Sequence, residues 1–161
     1  MLPIFPRANP GSDFRHIDDI LHMQAIPTIH FQGNCDEALN FYRGAIGAEL
    51  LFRFKVSEVV DPQAIKPGTG DRILRAGLRI GDSIIQCADG HGAGSPAFQG
   101  FSLTLSAASR DEAERLVGAL LEGGSVQMPL RATAWAETFG TLVDRFGLHW
   151  TIEAGRRFAT V

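Results

Sequence analysis

Apolar and polar positions follow one pattern twice along this chain. Pro27 to Phe31 reads as a strand with Ile29 and Phe31 on one side, and Thr28 and His30 on the other. The loop Gly33-Asn34-Cys35-Asp36 comes next, and Asp36 or Asn34 is placed to cap a helix. That helix is predicted from Glu37 to Ile46, where Ala38, Phe41, Tyr42 and Ala45 recur at helical spacing, and Gly47 stops it. Glu49 to Val56 reads as a strand. Positions 57–70, rich in proline and glycine, read as a loop. Strands follow at Arg72 to Ile80 and Ser83 to Ala88, joined by Gly81-Asp82, a pair suited to a tight hairpin turn.

The glycine-rich stretch from Asp89 to Pro96 interrupts the pattern, which then starts again. Phe101 to Ser106 alternates as a strand, with Leu103 and Leu105 opposite Ser102 and Thr104. Asp111-Glu112-Ala113 opens a helix to Leu121, as Asp36-Glu37-Ala38 opened the first, a shift of about 75 positions. Gly123-Gly124 ends it, and strands are predicted at Ser125 to Met128, Thr133 to Phe139 and Leu148 to Glu153, with a turn at Asp144 to Gly147. The order is strand–helix–strand–strand–strand, twice. One such unit is too small to stand well alone, and the sheet face away from its helix needs a second copy or a ligand to cover it. The expected fold class is α+β, with two βαβββ modules forming curved mixed sheets around a cleft.

The organisation expected is an extension over 1–25, a first module over 26–89, a linker over 90–99, a second module over 100–155 and a tail over 156–161. In the extension Pro3, Pro6, Pro10 and Gly11 break regular structure. Phe14, Ile17 and Leu21 then suggest a short helix that Asp13 caps, and Met23 is a candidate start for the domain proper.

Composition narrows the function classes. A net charge of −3 gives no basic surface for nucleic acid. No apolar run reaches the ~20 residues of a membrane helix. Cys35 and Cys87 form no CxxC pair and read as two reduced thiols. With no secretory signal in view, the chain reads as cytoplasmic.

Several segments carry a family resemblance. Gly33-Asn34-Cys35-Asp36-Glu37-Ala38-Leu39-Asn40-Phe41-Tyr42 resembles the GNxxEALxFY opening of PhnB-like proteins, a branch of the vicinal-oxygen-chelate (glyoxalase, bleomycin-resistance and dioxygenase) superfamily. Ile80-Gly81-Asp82-Ser83 resembles its IGD hairpin, and Glu122 to Leu130 its GGxVxMPL segment. Trp135, Gly140, Asp144, Phe146-Gly147 and Trp150 match its ending, and the whole resemblance runs from about Ile26 to Ile152. Superfamily enzymes commonly hold one divalent metal in the cleft, on His, Glu or Gln from strands of both modules, and use it to polarise substrate oxygens. Other members only bind small molecules.

By that resemblance the four ligand positions fall at Thr28, Gln86, Ser102 and Thr151, with His30 and Glu153 two residues beyond the first and last. Hydroxyl groups are poor ligands for Zn²⁺, Ni²⁺ or Fe²⁺. Where PhnB-like proteins often carry histidine, this chain has Arg75, a permanent cation that opposes a metal and favours an anion. The expectation is therefore no cofactor. If a metal binds, His30, Gln86 and Glu153 are its candidate ligands. His30 and Glu137 are the candidate acid–base groups. Thr28, Arg75, Gln86, Ser102, Thr104, Trp135 and Thr151 are the candidate ligand-binding residues. Trp150 reads as a core anchor and Asp144 as a turn former. Three functions stay open: a metal-free binder of a small, anionic organic molecule; a glyoxalase- or dioxygenase-class enzyme with an atypical metal site; and a methyltransferase, as the family's usual name suggests. For the last, no glycine-rich strand-to-helix turn for S-adenosylmethionine stands in the sequence. A homodimer is expected from the superfamily's habit of pairing modules.

Overall fold

The structure is a computed structural model that describes residues 24–90 and 97–157. The short helix expected after Asp13, His91 and most of the linker lie outside the described residues. The first unit runs β1 (Thr28–His30), α1 (Cys35–Ile46), β2 (Glu49–Lys55), α2 (Val56–Val59), β3 (Ile73–Ile80) and β4 (Ser83–Ala88). The second runs β5 (Leu103–Ala107), α3 (Arg110–Leu120), β6 (Ser125–Arg131), β7 (Ala136–Val143) and β8 (His149–Arg156). These make two four-stranded mixed sheets, ordered β1-β4-β3-β2 and β5-β8-β7-β6. In each unit the first strand lies parallel to the last and the other pairs are antiparallel. A parallel pair needs a crossover, and the helix after the first strand begins it.

Both repeats therefore fold as their patterns predict, with local corrections. α1 begins at Cys35 rather than Glu37. Neither Asn34 nor Asp36 caps it: Asn34 occupies the cap position but makes no side-chain cap bond. The cap comes from Asp89, past the end of β4. Its Oδ1 accepts from the amides of Gly33 (2.6 Å) and Cys35 (2.9 Å), and its Oδ2 from the amide of Ile73 (2.8 Å). The predicted 57–70 loop contains most of α2 and a 3-10 turn at Pro62–Ala64. The expected strand from Thr133 starts three residues later. The Thr133 hydroxyl accepts from the Ala136 amide at 3.1 Å, and this turn holds the chain out of the sheet. Pro129 is tolerated because β6 is an edge strand.

α1 buries Cys35, Ala38, Leu39 and Tyr42, and α3 buries Ala113, Leu116 and Leu120. These join Ile29, Leu78, Ile85 and Cys87 of the first sheet and Leu142, Trp150 and Ile152 of the second in one cluster. The helix sides of both sheets thus share a single core, and the opposite face of each sheet is left open to solvent.

Asp144 stands at the centre of that junction and is 3% exposed. Its Oδ1 accepts from the amides of Phe146 (2.8 Å) and Leu148 (3.0 Å), which forms the β7–β8 turn. Its Oδ2 accepts from Trp150 Nε1 (2.8 Å) and from the hydroxyl of Tyr42 on α1 (2.7 Å). The Tyr42 ring packs edge-on against Trp150 at 5.5 Å and Phe146 at 6.0 Å. Burial first, and then the Asp144 charge it faces, push the Tyr42 phenol well above the ordinary tyrosine range.

Asp144→Ala leaves four buried donors without a partner, and is expected to cost about 3 kcal/mol or more in urea denaturation. The raised Tyr42 pKa sets a direction with pH. Below the ordinary tyrosine pKa of about 10 the phenol is neutral in both states and its contribution is complete. Above it the unfolded chain ionises while the native chain resists, so stability falls. Denaturation curves collected across this range should lose that component in Tyr42→Phe; an unchanged slope would contradict it.

Candidate functional site

The open face of the first sheet is built in rows by the strand register. Thr28 pairs with Gln86, Gln86 with Gly77, and Gly77 with Phe52. One row over, His30 pairs with Ala88, and Arg75 with Phe54. Arg75 stands beside Ala88, since the next residues along, Ala76 and Cys87, are partners. Two small residues, Gly77 and Ala88, thus form the floor between larger ones. Arg75 Nη2 donates to Gln86 Oε1 at 2.7 Å, and the Thr28 hydroxyl donates to the same oxygen at 3.3 Å. The other arginine on this face, Arg79, is paired with Glu49 at 3.1 Å. Arg75 has no carboxylate partner among the described residues.

The open face of the second sheet carries Thr104 opposite Thr151, Ser106 opposite Glu153, and Phe139 opposite Glu153 from the other side. The Ser102 and Thr151 hydroxyls share a hydrogen bond at 3.3 Å. Glu153 is neutralised by Arg156, whose Nε donates to its Oε1 at 2.6 Å while Nη2 donates to Ser106. Trp135 is half exposed and packs edge-on against Phe139 at 5.3 Å. Glu137 lies over Gly155, where a Cβ would stand 2.7 Å from its Oε2; Gly155 has φ +62°, which also favours glycine.

The structure therefore brings the sequence-predicted residues into two groups. Thr28, Arg75 and Gln86 form one hydrogen-bonded set on the first sheet, with His30 in the neighbouring row. Ser102, Thr104, Trp135, Glu137, Thr151 and Glu153 stand on the second sheet. His30 and Glu137, the acid–base candidates, are on different sheets. Phe52 and Phe54 are the residues that sequence reasoning missed. Their signal was Gly77, a lone glycine inside a strand, which marks a close approach. A Cβ at position 77 would meet Phe52 Cε1 at 2.6 Å.

The two cysteines are buried, free and adjacent. The Cys87 thiol, burial, and the charges of Asp89 and Asp36 push the Cys35 thiol up, so it stays protonated and is no nucleophile.

A family model described as 3-demethylubiquinone-9 3-methyltransferase matches residues 23–153. The chain belongs to this family. It is 30% identical over 148 residues to protein YjdN of Escherichia coli strain K12, covering 86% of this chain and 99% of that one. Protein PA1353 from Pseudomonas aeruginosa superposes with a TM-score of 0.74 at 36% identity, over 83% of this chain and 98% of that one. A putative 3-demethylubiquinone-9 3-methyltransferase, PhnB protein, from Bacillus cereus gives a TM-score of 0.70 at 21% identity, over 83% and 100%. The PhnB-like resemblance and the glyoxalase/bleomycin-resistance fold it implies are those of the chain.

The metal that the superfamily implies does not suit the groups present. Three of the four aligned positions offer only hydroxyls, and the fourth, Gln86, has its oxygen bound by a guanidinium. Glu153 is committed to Arg156. Among the described residues, no three of His, Cys, Asp and Glu stand close enough to hold an ion. Among them, too, no helix is long and apolar enough to cross a membrane.

Gly77→Ala should drive Phe52 out of its place over β3, at a cost of about 1–3 kcal/mol in thermal or urea denaturation. An unaltered stability would show that the ring does not rest there.

Proposed function

We propose that this PhnB-like, glyoxalase-fold protein binds a small organic anion on the open face of its first sheet, that Arg75 receives the anion, and that binding needs no metal. The observation that carries this reading is the Arg75–Gln86–Thr28 set. Gln86 accepts from one guanidinium N–H, which fixes the plane of the group and leaves its remaining N–H donors for a carboxylate or phosphate. A cation at the centre of the face where the superfamily places its metal repels a second cation and attracts an anion.

We infer that a second copy of the chain completes the site. Each sheet exposes a large aromatic residue on its open face, Phe54 at 43% and Trp135 at 50%. The first face carries Arg75 and the second carries Glu137, which has no partner among the described residues. Opposed faces from two copies would enclose the ligand and pair opposite charges. The family model's description supplies the methyltransferase alternative. At the start of α1 the Asp89 carboxylate already occupies the Gly33 and Cys35 amides and would repel an anionic group there.

The test combines metal content with ligand titration. Protein purified without chelators is expected to hold far less than one equivalent of Ni, Zn, Fe or Mn. Titration calorimetry with organic carboxylates and phosphates should find binders that Arg75→Gln weakens about 10-fold or more. Stoichiometric metal would instead favour an enzyme with His30 among the ligands, and tight binding of S-adenosylmethionine would favour the methyltransferase. Sedimentation velocity is expected to show a dimer; a monomer at every concentration would remove the second copy.

A further inference from the structure

The face around Arg75 also carries an aromatic surface. Phe52 lies across the backbone of β3, with Cε1 2.6 Å and both Cδ1 and Cζ 3.1 Å from where a Cβ of residue 77 would stand. Phe54 follows two residues later on the same side, its ring centroid 5.8 Å from that of Phe52 and the planes 36° apart. Phe54 is the cross-strand partner of Arg75, which brings the two side chains within reach of one another. Yet the cation–π contacts among the described residues belong to Arg145, on Phe41 and Phe146. Arg75 donates instead to Gln86 on β4. The guanidinium and the two rings therefore stand side by side on one open face of β2 and β3.

We propose that this face recognises an aromatic carboxylate, with the carboxylate on Arg75 and the ring of the ligand against Phe52 and Phe54. The inference rests on the anion-binding reading above and adds the chemistry of the rest of the ligand. A planar carboxylate matches the fork of a guanidinium whose plane is already set by Gln86. An inorganic anion would gain nothing from the rings. A saturated acid would gain area but not the offset or edge-on geometry that aromatic pairs prefer. The glycine at 77 serves this arrangement by letting the Phe52 ring lie low over the strand.

Calorimetric titration with 1-naphthoate, cyclohexanecarboxylate, 1-naphthamide and inorganic phosphate tests this on the intact protein. Wild type is expected to bind 1-naphthoate about 5-fold or more tighter than cyclohexanecarboxylate. Arg75→Gln should weaken both acids about 10-fold or more. Phe52→Leu should remove the preference for the aromatic acid and leave the saturated acid unchanged. Phe54→Leu, at a more exposed position, provides the same comparison should Phe52→Leu disturb folding, which circular dichroism would reveal. Equal binding of the two acids, untouched by either phenylalanine change, overturns the aromatic inference and leaves the anion reading standing. Binding of 1-naphthamide as tight as 1-naphthoate, insensitive to Arg75→Gln, overturns the anion reading. Failure of both acids to bind wild type, or binding of phosphate alone, overturns the aromatic carboxylate.

Discussion

One buried carboxylate holds the two halves of this protein in register. Asp144 is fully enclosed at the β7–β8 turn, and each of its oxygens has two donors. Three of those donors are local to the turn and β8. The fourth is the Tyr42 hydroxyl, from the helix of the other repeat. A carboxylate taken out of water is stable only with such a full set of partners. The contact therefore fixes how α1 sits on the second sheet to within a hydrogen-bond length. The aromatic rings around it, Phe31, Phe41, Tyr42, Phe146 and Trp150, depend on that placement. So does the way both open faces are turned outward, since each sheet is already covered by helices on its other side.

Much of this was legible in the residues. Alternation in β1 and β5 predicted which side chains face outward, and Thr28, His30 and Thr104 do. The repeat was legible because both copies carry the same helix opening and glycine stop, and those are local signals. Trp150 as an anchor and Asp144 as a turn former were also readable. What escaped was long-range. That Asp144 reaches Tyr42, or that Asp89 rather than Asn34 caps α1, depends on which distant segments meet. Asp89 looked like the start of a linker because a glycine-rich stretch follows it. Phe52 and Phe54 looked like ordinary strand residues, since the space over Gly77 is defined only when β2 and β3 are paired with a register shift between Leu50 and Phe52.

The same contrast explains the two faces. On the second sheet the charged group that the superfamily would place near a metal, Glu153, is satisfied by Arg156 within its own strand. On the first, Arg75 is held by an amide, which orients it but cannot neutralise it. One face is electrostatically closed at that position and the other is open. The asymmetry is a property of side chains laid on two backbones of the same topology, and the fold alone would not reveal it.

The Asp89 cap has a consequence for how the chain reaches this structure. Its carboxylate and the Cys35 amide it receives are 54 positions apart, and Tyr42 and Asp144 are 102 apart. A helix capped by its own neighbour can gain its first turn as soon as it is made. Until the last strand of its sheet has paired, the leading amide of α1 has only water to accept its hydrogen bond. Its start is thus a reward for completing the first unit, and the docking of its tyrosine a reward for completing the second. Loop closures of this length come late and slow folding. The helix that joins the two repeats is thus held from behind by one aspartate and from ahead by another.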